Sequence, residues 1–208
     1  MSHFDDAAAA WDDNPNRVAL MRTVGQAVME HVRPGAGLDV LDYGCGTGLL
    51  GLYLLEHVRS VTGADNSPGM LEVLDRKIAD SRLANVRTLR LDLERDAVPD
   101  ERYDLITTGM ALHHMADVDA ALRGFHKLLR PGGRVCIVDL DSEDGRFHGR
   151  HAATSVHHHG FDRGQLKAHL ERVGFVEPAD ATVVTFTRPV EGGGEAEFSI
   201  FLVTARRP

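Results

Sequence analysis

Val40-Leu41-Asp42-Tyr43-Gly44-Cys45-Gly46-Thr47-Gly48 is the stretch on which the reading of this chain turns. The run from Leu38 to Tyr43 has no helical period and ends in glycines at alternate positions. Such a run reads as a strand buried on both faces of a parallel sheet. Glycines spaced this way between a strand and a helix let the backbone turn tightly and approach a ligand closely. Gly46-x-Gly48-x-x-Gly51 also satisfies the dinucleotide fingerprint, which opens an NAD(P)-linked oxidoreductase as one reading. An acidic Asp42 directly before the glycines sits badly beside a pyrophosphate and well beside a cationic amino group.

Working outward, strand and helix signals alternate. Asn14-Pro15 opens a helix through Met29, stopped by Pro34-Gly35, and Leu49 to His57 is expected as the helix after the glycine loop. Strands follow at Ser60 to Ala64, Val86 to Leu91, Arg102 to Thr107 and Arg134 to Asp139. Between them, Ser67-Pro68 starts a helix to about Asp80, and Val118 to Leu129 is an amphipathic helix. The pattern predicts an α/β fold, a doubly wound and mostly parallel sheet with right-handed crossovers. Asp162 caps a helix to Val173, and two β-rich runs, Val183 to Arg188 and Glu197 to Thr204, close the chain. The glycines 192–194 between them leave no room for a crossover helix, so these strands pair antiparallel. The 208 residues are expected as a single domain, with residues 1–35 as a helical cap and 141–160 as a His-rich lid.

These segments resemble, in order, the class I S-adenosylmethionine-dependent methyltransferases. The resemblance rests on VLDYGCGTG at 40–48, GADNSPGML at 63–71, LDLE at 91–94, YDLITTGMALHHM at 103–115 and LLRPGGRVCIVD at 128–139. It is strongest toward the small stand-alone type, similar to the ubiquinone and menaquinone biosynthesis methyltransferases. It implies a seven-stranded Rossmann-like sheet with an antiparallel C-terminal strand. It also implies S-adenosylmethionine as cofactor, S-adenosylhomocysteine as product, and in-line methyl displacement. Carried over by position, Asp42, Gly44, Cys45, Gly46 and Gly48 line the methionine moiety. Asp65 binds the ribose hydroxyls, with Asn66 and Met70 near the adenosine. Asp92 and Leu93 meet the adenine, and Thr108 and Gly109 sit below the sulfonium. Trp11 and Arg17 resemble the segment that closes over the cofactor. A module of the same fold that binds the cofactor without catalysis is the remaining alternative to an enzyme.

Methyl transfer from a sulfonium releases a neutral leaving group, so alignment and exclusion of water come before acid catalysis. A base matters only where the acceptor must lose a proton. His113 and His114 follow the fourth strand, at the sheet edge where open α/β folds bind ligands. A second cluster, His148, His151, His157, His158 and His159, invites a metal reading. It lacks the helical His-x-x-x-His spacing or accompanying cysteines of zinc sites, so no metal is expected. The stretches around Phe147-His148-Gly149 and His158 to Asp162 resemble a substrate pocket of small relatives, so His157, His158 or His159 is expected to reach the acceptor, with His158 the third candidate catalytic residue.

Composition bounds the partners. Twenty-three basic against 31 acidic residues leave a formal charge of −8, which argues against broad nucleic-acid or anionic-membrane binding. Protonating all 12 histidines would turn that into +4, so the field is strongly pH-sensitive. Thr107-Thr108-Gly109-Met110 stands where amino methyltransferases of nucleic-acid bases carry Asn/Asp-Pro-Pro-aromatic. Cys45 and Cys136 build no disulfide framework or metal pattern. The first 15 residues lack the basic and apolar regions of a secretory signal. The expectation is a cytoplasmic protein acting on a small-molecule acceptor, with no nucleic acid or membrane partner and the oligomeric state open.

Overall fold

The computed structural model describes residues 3–148 and 155–208. Consecutive residues of the central strands face opposite ways, and that alternation builds two cores. In β1 (Asp39–Tyr43), β4 (Tyr103–Gly109), β5 (Leu129–Leu140) and β7 (Glu195–Arg206), four neighbouring pairs divide between the cores. Val40, Leu105, Cys136 and Leu202 face one cluster; Leu41, Ile106, Ile137 and Val203 face the other. A strand covered on both faces has no polar side to show, which explains the unbroken apolar runs. Helices α2 (Pro15–His31) and α3 (Leu49–Leu54) supply Val24, Val28, Leu50 and Leu54 to the first cluster. Helix α4 (Pro68–Ser81) adds the partly buried Ile78. Helices α5 (Val118–Leu128) and α6 (Arg163–Val173) supply Leu122, Phe125, Leu128, Leu166 and Leu170 to the second.

With β2 (Ser60–Asp65), β3 (Val86–Arg90) and β6 (Val176–Pro189), the sheet has seven strands in the order β3-β2-β1-β4-β5-β7-β6. Strands β1 to β5 pair in parallel, while β7 is antiparallel to both β5 and β6. Strand order reverses between β1 and β4, so the loops leaving their carboxyl ends part there and open a crevice. The helix starts follow the expected capping. Asn14, Ser67, Asp117 and Asp162 each accept a backbone N–H of the first turn.

Within the expected helical cap, α1 (His3–Ala7) and a 3-10 turn, Ala8–Asp13, precede α2. Some strand boundaries differ from expectation. Strand β5 begins at Leu129 instead of Arg134, with Pro131 to Gly133 taken up in a register shift against β4. Strand β6 begins seven residues earlier than expected, because Val176 to Thr182 pairs as a largely exposed edge strand, and β7 gains two residues at each end. No helix among the described residues is long and apolar enough to cross a membrane.

Phe125 is fully buried and its ring meets Tyr43 edge-on, with centroids 5.2 Å apart. Truncation there removes one of the largest side chains of the second core. Phe125→Ala is expected to cost about 3–5 kcal/mol, read as a lowered urea midpoint at unchanged m-value.

Candidate active site

The glycine loop leaves β1 with Gly44, Gly46 and Gly48 all at positive φ, between 53° and 85°. Gly44 admits no side chain for a second reason: a Cβ there would lie 2.5 Å from the Cβ of Ala111. Beneath the loop, Asp42 is 1% exposed. Its carboxylate accepts from the Gly51 N–H at 2.9 Å and from the Thr107 hydroxyl at 3.0 Å. Burial outweighs both donors and pushes its carboxyl up to about 7. Asp42 is therefore turned inward, joining β1, α3 and β4, and does not project into the crevice where direct contact with an ammonium was expected.

Asp65 ends β2 and grips the loop from the other side. One oxygen accepts from the Gly46 N–H at 2.8 Å and the other from the Ser67 N–H at 2.9 Å. Burial raises its carboxyl too. The buried Met70 places its sulfur 3.8 Å from where a Cβ of Gly46 would stand, and Trp11 Nε1 lies at 3.9 Å from the same point. Gly46 thus floors an open cradle roofed by the N-terminal segment. That segment is tied down at three points. Asp5 accepts from the Ser67 hydroxyl at 2.6 Å and the Gly69 N–H at 3.1 Å. Asp12 accepts from the Thr47 hydroxyl at 2.6 Å and pairs with Lys77 at 2.5 Å. Arg17 stacks 3.7 Å from the Trp11 ring centroid and donates to the Trp11 carbonyl, so it positions the tryptophan.

A cleft of about 570 Å³ opens beside this roof, lined by Asp5, Asn66, Pro68, Arg90, Asp92, Arg95 and Asp96. Asp92 stands in its wall and accepts from the Glu94 N–H at 3.0 Å. Leu93 faces away: its side chain is buried in the second core, and its N–H donates to the Tyr43 hydroxyl at 2.8 Å. Cys45 is buried with its thiol pushed up, held as packing rather than as a nucleophile. Gly109 packs toward Leu50, and the neighbouring Thr108 keeps a fully buried hydroxyl with no hydrogen-bond partner among the described residues.

Past β4, Met110 takes a left-handed conformation at φ 56° and feeds a 3-10 turn, Leu112–His114. A non-glycine residue held there is strained and is kept by its surroundings. The Met110 N–H donates to the Val138 carbonyl at 2.8 Å. His113 is 1% exposed, with Nδ1 2.6 Å from Asp139 Oδ1 and Nε2 3.0 Å from His148 Nε2. His114 Nδ1 lies 2.6 Å from the Ser155 carbonyl, and its ring meets Phe4 edge-on at 5.0 Å. Burial, and then the neighbouring His113, lower His114 to about 4 and His148 to about 3. A proton acceptor that weak makes a poor general base at neutral pH. Among the sequence-derived candidates, His158 stacks near Phe161 and keeps a buried Nε2 without a hydrogen-bond partner among the described residues. His157 and His159 are exposed, and His151 lies outside the described residues.

The model of the family described as methyltransferase domain matches residues 40–133, the span from the glycine loop to the start of β5. Residues 40–133 thus carry a methyltransferase domain, and this match together with the relatives supports a class I S-adenosylmethionine-dependent methyltransferase. This methyltransferase is 26% identical, over 206 residues, to an uncharacterized methyltransferase of Schizosaccharomyces pombe, covering 77% of this chain and 72% of that one. It is 36% identical over 121 residues to a demethylmenaquinone methyltransferase of Symbiobacterium thermophilum, covering 56% of this chain and 47% of the relative. The chain thus spans about half the length of that second relative. A crystal structure of an S-adenosylmethionine-dependent methyltransferase from Aquifex aeolicus superposes with a TM-score of 0.70 at 20% identity. The match covers 94% of this chain and 95% of the other.

Sequence reasoning missed Asp139, the partner of His113, and Asp5, which ties the N-terminal segment to α4. A lone acid ending the apolar run Val135 to Val138 was the available signal for the first. Asp42 gives a sign to the pH dependence. A carboxyl whose folded pKa is raised contributes stability that is complete below about 4 and is lost as pH rises through about 7. Asp42→Asn escapes that loss, so its melting temperature relative to wild type should rise between pH 4.5 and pH 8. The difference is at most roughly 4 kcal/mol; a pH-independent offset would contradict the assignment.

Proposed function

We propose that this methyltransferase transfers a methyl group from S-adenosylmethionine to a small-molecule acceptor seated over the carboxyl ends of β1 and β4. The observation that carries the reading is closure of that edge from two sides. Phe4 and Trp11 lie over the glycine loop and His114. From the other side, the His157 and His158 N–H groups both donate to the His113 carbonyl, at 3.0 and 3.1 Å. A covered crevice suits a compact acceptor and disfavours a polymer, and the −8 charge points the same way. The relationship to a demethylmenaquinone methyltransferase supports the same class of acceptor.

The residues present fit the cofactor. The cradle at Gly46 has room that a side chain would fill, the Thr108 hydroxyl lacks a partner among the described residues, and the cleft at Asn66 and Asp92 is large enough for an adenosine. When bound, S-adenosylmethionine supplies an electrophilic methyl group on a sulfonium. Asp65 would hold the ribose hydroxyls, Asp92 the adenine amino group, and the backbone from Gly44 to Gly48 the methionine end. Asp42 acts one step back, by holding the N-terminus of α3 and β4 in place. Trp11, braced by Arg17, excludes water from the transfer path. Where the acceptor has a proton to lose, Nε2 of His158 is the nitrogen we assign to take it.

Titration calorimetry with S-adenosylhomocysteine tests the cofactor claim. Wild type should bind one equivalent, and Gly46→Val should weaken binding by at least 100-fold while circular dichroism stays unchanged, because the branched side chain enters the cradle. Absence of binding to wild type at high protein concentration would overturn the reading. A screen of small molecules with methyl-labelled cofactor tests the chemistry. Label should pass to a small acceptor and not to nucleic acid or protein. Cofactor binding without transfer to any acceptor would return the non-catalytic module.

A further inference from the structure

Three histidines from two separate segments converge at the crevice. His113 and His114 come from the turn after β4, and His148 from the segment after β5. One nitrogen from each lies within 4.8 Å of the others. What surrounds them sets their tautomers. Asp139, fully buried, faces Nδ1 of His113 at 2.6 Å and also accepts the His113 backbone N–H at 3.2 Å. The Ser155 carbonyl faces Nδ1 of His114 at 2.6 Å. A carboxylate or carbonyl at Nδ1 calls for a proton there, and a neutral imidazole then presents a bare lone pair at Nε2. Carboxylate and carbonyl partners on the far nitrogen are the usual outer support of metal-binding histidines.

The inner spacing needs the same explanation. His113 Nε2 and His148 Nε2 stand 3.0 Å apart. Two nitrogens bound to one tetrahedral zinc at ~2.0–2.1 Å lie roughly 3.3 Å from each other. A small rotation of His148 and His114 therefore brings all three nitrogens onto one ion. The spacing rule that argued against a metal looked for two ligands on one helix. This donor set instead takes adjacent residues from a tight turn and a third from a distant segment.

We propose that His113, His114 and His148 form a site for one divalent transition metal of the zinc class, with Asp139 and the Ser155 carbonyl as its outer partners. Three imidazoles without thiolate suit zinc, cobalt, nickel or copper and not calcium or magnesium. Three protein ligands leave the fourth position open, the pattern of a catalytic rather than a structural site. The cluster stands beyond the carboxyl end of β4, the edge assigned to the acceptor, whose oxygen, nitrogen or sulfur would take the open position. Metal binding itself does not depend on the methyl-transfer reading.

Calorimetry with zinc chloride on the full chain tests the site, using protein purified without a polyhistidine tag, stripped with chelator and free of cofactor. One equivalent should bind to wild type. His148→Ala should weaken binding by 100-fold or more, and Asp139→Asn by 10- to 100-fold through loss of the outer partner. The exposed pair His157→Ala/His159→Ala should leave zinc affinity unchanged. Cobalt substituted for zinc should give the intense visible bands of a tetrahedral site in wild type and lose them in His148→Ala. S-adenosylhomocysteine binding, measured on the same His148→Ala sample, reports that the fold is intact and keeps the two readings separable. No zinc bound by wild type, zinc affinity unmoved by His148→Ala, or zinc lost with the exposed pair would each overturn the site.

Discussion

The buried carboxylate of Asp42 is the constraint on which the cofactor side of the structure rests. With 1% of its surface exposed, it cannot rely on water, so every oxygen must find a protein donor. The two donors come from different elements: the first turn of α3 gives the Gly51 N–H, and β4 gives the Thr107 hydroxyl. Asp42 and Thr107 are also register partners across the β1–β4 pair. A one-residue slip between these strands would strand a buried acid without its hydroxyl and send every apolar side chain to the wrong core. The same acid thus fixes the strand register at the switch point and the height at which α3 begins. Between those two fixed ends the glycine loop has little freedom left.

That fixed loop in turn gauges the next one. Gly44 lies against Ala111, so the loop after β1 and the turn after β4 approach until only a missing side chain separates them. Met110 accepts a left-handed backbone to make the approach possible, and the Val138 carbonyl and Asp139 carboxylate hold the turn from β5. The histidine pair and the cradle are consequently parts of one rigid edge. The N-terminal segment completes it, because Phe4 touches His114 while Trp11 covers Gly46. The Gly46 loop and the histidine turn are coupled through contacts of a few side chains, not through a long path.

The order of the elements was legible in the sequence because buried parallel strands and glycine-bounded loops leave strong local marks. Val40 to Gly48 alone specified strand, turn and helix start, and Asn14, Ser67 and Asp162 announced their caps. The placement of Asp65, Asn66 and Asp92 at or just after strand ends was also legible, since it follows from that order. Less was legible where the decisive relation is tertiary. The inward turn of the Asp42 carboxylate depends on Thr107, 65 residues away, and nothing local distinguishes an acid that meets a ligand from one that meets a hydroxyl. Leu93 was read as an adenine contact, yet an exposed cleft on one side and an apolar core on the other leave a leucine only one choice. The edge strand from Val176 was invisible because an edge needs backbone pairing and no apolar face.

The histidines mark the sharpest division between what spacing shows and what folding brings together. Read along the chain, His113-His114 is a doublet and His148 belongs to a different cluster. In space the doublet divides its outer nitrogens between Asp139 and the Ser155 carbonyl. Each ring is oriented by a polar group at a short distance, which satisfies a buried N–H and fixes the tautomer. Once Nδ1 of His113 is committed to Asp139, its Nε2 faces His148 Nε2 with a lone pair, and two such nitrogens at 3.0 Å must share either a proton or a cation. A shared proton satisfies that pair and leaves His114 as a bystander whose orientation has no purpose. A shared cation accounts for all three rings, for the outer carboxylate and for their position at the open edge of β4. It would also lower the pKa of a coordinated acceptor group. Activation of the nucleophile would then rest on coordination, and the sulfonium would need only to be aligned with it.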